Sequence, residues 1–322
     1  MGSAHGSTIG AITGVRFNNL RGDIYGGVTA AVVALPLALA FGVASGVGAI
    51  AGLYGAIFVG LFAALFGGTN TQVSGPTGPM TVVMASIFTH FADRPALAFT
   101  TVILGGALQI VFGVLKLGRY VAFVPFTVIS GFMSGIGCII ISIEIAPLFG
   151  HEASKHGVLE AISMIPSAIA NPNLHATAIG LATLAIVMFT PKAVARIVPA
   201  PLIALIAGTL GVLWFLPDAP VIGEIPTGLP APVIPHITLS ALSQVMMSAF
   251  ILALLGTIDS LLTSLIADNV TGTHHNSDKE LIGQGIGNMV AGLFGGIPGA
   301  GATMRTMVNI RAGARTPLSG VI

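Results

Sequence analysis

The chain is a series of long apolar runs separated by short polar breaks, and run length decides what the runs are. A helix needs about 20 predominantly apolar residues, with a range of about 17–25, to cross the hydrocarbon core of a bilayer. Stretches of that order lie at about 24–45, 48–67, 96–115, 121–148, 174–190, 199–216, 241–268 and 281–297. A lipid interior offers backbone N–H and C=O groups no water, so these runs are read as helices. Two further segments break the rule. Gly67-Gly-Thr-Asn-Thr-Gln-Val-Ser-Gly-Pro-Thr-Gly-Pro-Met80 is a run of turn-forming residues leading into an apolar stretch, about 76–91, too short to span. Gly295 to Asn309 is glycine-rich and carries two threonines and an arginine, yet follows directly on an apolar run. The patch Val158–Ala170, inside a polar linker at 149–173, reads as an interfacial helix. Pro36, in Leu35-Pro-Leu-Ala-Leu-Ala-Phe41, sits mid-helix and frees backbone groups that protein must satisfy. Ser277-Asp-Lys-Glu280 fits a capping box at the start of the ninth segment.

Composition turns this pattern into a class. Of 322 residues, 54% are hydrophobic and only 7% charged, where soluble domains carry about 25% charged residues. The reading is an all-α polytopic membrane protein embedded in a lipid bilayer. A net charge of +1 supplies no basis for binding nucleic acid. Cys138, the single cysteine, excludes an intrachain disulfide.

Lysine and arginine then set an orientation. With a cytoplasmic N-terminus, and with each interrupted segment counted as a crossing, the cytoplasmic loops hold Arg16, Arg21, Lys116, Arg119, Lys192, Arg196, Lys279, Arg311 and Arg315. Outer loops hold Arg94 and Lys155, and Arg305 lies within a segment, which completes the 12 basic residues. This is the positive-inside pattern. The same count makes the interrupted segments the third and the tenth. Each follows a pair of helices, and an odd offset of seven inverts one unit relative to the other. Paired interrupted segments in inverted halves are the sequence pointer to a transporter site near the midplane.

The candidate chemistry gathers at these breaks. Asp259 lies well inside the eighth segment, and intramembrane carboxylates belong to ion or proton paths unless they are structurally paired. Thr263 is one turn further on the same face, so carboxylate and hydroxyl point at one place. Oxygens of this kind, completed by free carbonyls of a broken helix, suit a hard cation such as Na⁺. Arg305 allows two readings: fixed positive charge in an anion site, or neutralisation of Asp259. Thr77 and Thr303 are candidate hydroxyl contacts to a small oxyanion, or else helix caps. Phe41 walls the site or simply packs. His274-His275 reads as a solvated loop rather than a metal site, Glu144 as interfacial, and Asn269-Val-Thr271 as no glycosylation site on a cytoplasmic side. No enzyme constellation emerges.

Several stretches resemble the sulfate permease (SulP) family of inorganic anion transporters. They are Leu35–Phe41, Pro76-Thr-Gly-Pro79, Val128-Ile-Ser-Gly-Phe-Met-Ser-Gly-Ile136 and Asn276-Ser-Asp-Lys-Glu-Leu-Ile-Gly-Gln-Gly-Ile-Gly-Asn288. The likeness is strongest to its cyanobacterial bicarbonate-transporting members and runs from Arg21 to the last residue. It implies an inverted-repeat fold of seven plus seven segments with two broken half-helices, which this sequence enters as far as about the tenth. Residues 1–20 become a cytoplasmic N-terminal segment and 21–322 the transmembrane transport domain. Core segments fall at about 24–115 and 241–322 and gate segments at about 121–216; later spans and a C-terminal regulatory domain are absent from the sequence.

The resemblance also implies roles. Asp259, Thr263 and the backbone around Gly301 and Thr303 hold Na⁺ as coupling ion, while Thr77, Ala302 and Thr303 face bicarbonate between two half-helix N-termini. Phe41 and Arg305 complete the candidate anion site. In this pattern bicarbonate-type members carry a small uncharged residue where this chain has Arg305, and many sulfate- and dicarboxylate-type members carry arginine. The expectation is a secondary active transporter, homodimeric and elevator-like, in the bacterial plasma membrane, most simply a Na⁺-coupled bicarbonate importer with no organic cofactor. The alternatives are a proton-coupled or uncoupled sulfate or dicarboxylate transporter and, from another class, a non-transporting membrane subunit or an anion channel.

Overall fold

Leu20–Ala44 (α1), Ala49–Phe66 (α2) and Pro95–Val114 (α4) form continuous helices, as does Leu239–Thr271 (α10). With Leu242–Thr271 taken for the last, these are the helices long and apolar enough to cross a membrane among the described residues. The computed structural model describes residues 17–123, 125–152, 158–195, 198, 200–215, 232 and 239–322. Most of the N-terminal segment, Lys155, Arg196 and most of the proline-rich connection at 216–235 lie outside the described residues.

The two interrupted segments adopt the same sequence of elements. A two-residue strand, Ser74–Gly75 (β1), precedes the short helix Gly78–His90 (α3). Another, Ala300–Gly301 (β2), precedes Thr303–Arg311 (α12). Neither helix is long enough to span, as the runs of Gly, Pro and Thr imply. Between α10 and β2 lies Ser277–Leu293 (α11), and the final turn is Leu318–Val321 (α13) once the intervening helices of the second unit, described below, are numbered α5 to α9.

The chain divides into two compact units. The first, 1–131 with 227–322, contains α1–α4, α10–α13 and both strands. Within it α11 packs against α4 and α2, and α10 packs along α4. Met80, Met84, Val102, Leu252, Leu255 and Ile297 form its buried apolar cluster, with Phe41 packed against it. Pro36 lies within α1, where the reading placed it.

The second unit, residues 132–226, holds most of Phe126–Leu148 (α5), then Val158–Ala170 (α6), Leu174–Phe189 (α7), Lys192–Ala195 (α8) and Ala200–Phe215 (α9). A 3-10 turn at Leu117–Phe123 precedes α5. The patch read as interfacial is α6, bent by 110° from α7. Asn173 makes the break by capping α7, its Oδ1 accepting from the N–H groups of His175 and Ala176 at 3.0 and 3.1 Å. α7 contains no buried residue and exposes Leu181, Leu184 and Met188, which suits a helix whose solvent is lipid.

Candidate functional site

The site is built where the two breaks meet. β1 and β2 pair antiparallel, Ser74 opposite Gly301 and Gly75 opposite Ala300, and the N–H of Ala302 donates to the carbonyl of Val73 at 2.9 Å. Within two residues each strand turns into a helix whose N-cap residue is extended: Thr77 for α3, Ala302 for α12. Neither helix is capped by the side chain of its N-cap residue. The first intrahelical bonds run from Thr81 to the carbonyl of Thr77 and from Thr306 to that of Ala302. Residues 78–80 and 303–305 therefore precede the helical ladders, and their N–H groups, except at Pro79, are the donors a helix start presents to an anion. Gly75 has φ +147°, open only to glycine, and a Cβ there would lie 2.7 Å from the guanidinium of Arg305.

α10 joins the two breaks. Asp259, Ser260, Thr263 and Ser264 are all buried on it, and their spacing places them on one face. The Thr77 hydroxyl donates to Asp259 Oδ2 at 2.8 Å. The Thr263 hydroxyl donates to the Gly301 carbonyl at 2.9 Å and lies 2.8 Å from that of Thr303. Ser260 Oγ accepts from the N–H of Gly301 at 3.0 Å. Ser264 donates to Gln72 Oε1 at 3.0 Å and lies 2.8 Å from Thr69 Oγ. One helix face thus holds the start of α3 through Asp259 and the start of α12 through Thr263.

Of the residues expected to form a cation site, Thr263, Gly301 and Thr303 come together, and Asp259 sits one turn before Thr263 with Thr77 on its carboxylate. The donor set is a carboxylate, hydroxyls and a backbone carbonyl, all hard oxygen donors of the kind that suit Na⁺. Gly301 leaves no room for a side chain, since a Cβ would lie 2.4 Å from Gln72 Nε2. Ala302 is buried and contributes backbone. Phe41 packs with the apolar cluster that includes Met80 and Ala300.

Arg305 is buried, with 2% exposure. Its Nη2 donates to the carbonyl of Pro76, and its Nη1 has no hydrogen-bond partner among the described residues. The guanidinium thus turns toward the first break. Arg305 and Asp259 act on each other through space without a direct hydrogen bond: the Pro76 carbonyl takes Nη2 and Thr77 takes the carboxylate.

Sequence reasoning missed the anchors behind the site. The capping-box reading of Ser277–Glu280 is corrected: Asn276 is the cap, accepting from the N–H of Lys279 at 3.0 Å. Glu280 turns inward instead. Its Oε2 accepts from the N–H of Gly68 at 2.9 Å, and its Oε1 accepts from Gln72 and Gln284, each at 2.8 Å. Gln284 also donates to Ser74 Oγ at 2.6 Å. Asn288 accepts from the N–H of Gly299 at 2.8 Å and donates to its carbonyl at 3.0 Å and to Gln109 at 2.8 Å. The available signal was the four-residue spacing of Glu280, Gln284 and Asn288, a polar stripe along one face of a membrane helix. Asp23, equally buried, accepts from the N–H groups of Arg315 and Thr316 and ties α1 to the end of the chain. His275 is not simply solvated. It lies 2.6 Å from Asp268 and 3.0 Å from Ser277, and no metal-binding group of His, Cys, Asp and Glu forms among the described residues.

Comparison with known proteins agrees with this architecture. The Sulfate permease family model matches residues 20–322. The chain is 51% identical over 319 residues to the bicarbonate transporter BicA of Picosynechococcus sp., covering 96% of this chain and 56% of that protein. It is 51% identical to BicA of Synechocystis sp. over 315 residues, with the same coverages. The solved transmembrane domain of a cyanobacterium bicarbonate transporter BicA superposes with a TM-score of 0.90 at 50% identity, covering 95% of this chain and 80% of that one. The chain spans about half the length of the curated relatives it matches.

Proposed function

Because this chain belongs to the sulfate permease family, we propose that it forms the substrate-binding part of a secondary transporter for a small inorganic anion, with bicarbonate as substrate and Na⁺ as co-transported ion. The observation that carries this reading is the meeting of two half-helix N-termini, neither capped by its N-cap side chain, over one buried oxygen-rich face of α10. The N–H groups that precede the helical ladders and the fixed dipoles of α3 and α12 favour an anion. Asp259, Thr263, Thr303 and the Gly301 carbonyl hold the cation, whose charge adds to the anion's attraction.

The protein sits as a homodimer in the bacterial plasma membrane with its N-terminus in the cytoplasm. It works by an elevator-like movement, with the core segments at 24–115 and 241–322 carrying the site against gate segments at 121–216. The test is uptake of labelled bicarbonate into proteoliposomes with and without an inward sodium gradient. Gradient-dependent uptake supports the reading; sodium-indifferent uptake abolished in Asp259→Asn moves the coupling to protons.

One observation favours a second reading. Buried Arg305, its Nη1 without a hydrogen-bond partner among the described residues, places a fixed positive charge at the first break, and such a charge serves a divalent oxyanion without help from a metal ion. In that reading the substrate is sulfate or a dicarboxylate and Asp259 carries a proton. Competition settles between them: sulfate that outcompetes bicarbonate for uptake selects the second. Conductance without coupling would instead mark an anion channel.

A further inference from the structure

We infer that the hydroxyl of Thr77 couples the two ligands, because its single proton is donated either to Asp259 or to the bound anion, and never to both. This deepens the proposed reading and rests on it.

Thr77 holds the N-cap position of α3, where a threonine hydroxyl ordinarily accepts from its own helix. Here it makes no such cap and is spent across the break, as a donor to Asp259 Oδ2 at 2.8 Å. The position therefore places a donor hydroxyl at the same helix start where the N–H groups of Gly78 and Met80 await an anion. The N-cap position of the other half is Ala302, which has no hydroxyl, and the hydroxyl of Thr303 beside it lies 2.8 Å from that of Thr263. Of the two half-helix starts, only the first gives a hydroxyl to a carboxylate.

A hydroxyl has one proton to donate. A hydrogen bond to an ionised acceptor is roughly twice as strong as one to a neutral acceptor. With Asp259 bare, the carboxylate already holds that proton at 2.8 Å, and an arriving anion must compete for it with an equally charged acceptor. A cation held by Asp259 lowers the pull of the carboxylate. The hydroxyl then turns about its Cβ–Oγ bond and donates to the anion. Filling the cation position releases the anion's donor, and filling the anion position strips Asp259 of a competing partner. Each ligand tightens the other by the same factor, as linkage demands.

The test uses the intact protein in detergent. Calorimetric titration with sodium gluconate, in the absence and presence of bicarbonate or of sulfate, gives the factor by which anion tightens sodium. Wild type is expected to show mutual tightening within the usual range of about 5–150-fold. Thr77→Val preserves shape and removes the hydroxyl. It is expected to bind sodium without anion at least as tightly as wild type, and to reduce the tightening factor to near one. Thr77→Ser keeps the donor and is expected to restore the factor, and a common thermal unfolding midpoint for the variants separates this from misfolding. A wild-type factor retained in Thr77→Val overturns the inference while leaving the proposed function intact. A factor lost equally in Thr77→Ser overturns it in favour of a packing role for the methyl group. Wild type that binds neither cation nor anion overturns the proposed function and the inference together.

Discussion

The two half-helix starts share a plan and differ in what they bring to it. Both follow a two-residue strand, both begin at an extended N-cap residue, and both lean on the buried face of α10. The first is apolar and has Pro79 in its opening turn, so it offers fewer N–H donors, and its hydroxyl is committed to Asp259. The second keeps an N–H at each of Thr303, Met304 and Arg305 and supplies the buried guanidinium. Their foundations differ as well. The Gly68–Ser74 stretch is held by the charged Glu280 with Gln284, and by Thr306, whose Oγ accepts from the N–H of Val73. The Gly299–Gly301 stretch is held by neutral groups, Asn288, Ser260 and Thr263. An inverted repeat gives the same backbone twice, and side chains then divide the work: α12 brings the charge, and α3 brings a donor that another ligand controls.

This contrast is testable from its foundations upward. Glu280→Ala removes the acceptor of three hydrogen bonds, and hydrogen bonds to a charged group contribute about 1.5–3 kcal/mol each. A loss of about 3 kcal/mol or more is expected, read as a lower thermal unfolding midpoint. The matched Asn288→Ala, which removes neutral bonds, should cost about 2 kcal/mol in the same assay; equal losses would remove the distinction between charged and neutral anchoring. Asp259→Asn keeps the shape and removes the charge, so ion-coupled uptake should fall about 100-fold while gradient-independent exchange is spared. Arg305→Gln removes the fixed cation but retains a donor for the Pro76 carbonyl. Anion affinity should weaken by about 30-fold, more for sulfate than for bicarbonate, as measured by competition for uptake. Gly301→Ala sets a Cβ 2.4 Å from Gln72 Nε2, an overpacking worth about 1–2 kcal/mol. About tenfold weaker sodium binding in calorimetry is the expected sign that β2 has shifted.

Much of the frame was legible in the chain. The helix ends fall within a few residues of the apolar runs, and both interrupted segments became strand-to-helix breaks, because backbone in lipid must satisfy itself and Gly and Pro mark where it does not. Asp259 and Thr263 stood out because a polar pair four residues apart inside an apolar run has few structural excuses. Glu280 was misread because Ser-x-x-Glu at a helix start is a good local pattern; local pattern does not reveal that Gly68 and Gln72, over two hundred residues earlier, supply the donors. Asp23 escaped for the same reason, its partners lying at the other end of the chain.

The sequence by itself therefore determined the solvent, the helices, the two breaks and the residues expensive enough in a membrane to require a purpose. Run length, glycine and proline punctuation, and the cost of buried charge are all local quantities, readable without coordinates. Only the tertiary structure decided the pairing: that Arg305 turns to the Pro76 carbonyl rather than to Asp259, that Asp259 receives the Thr77 hydroxyl, and that Glu280 faces inward. Those choices depend on which distant backbone groups arrive within hydrogen-bonding distance, and a two-stranded ladder joining residues 74–75 to 300–301 settles that at a range no sequence window can reach.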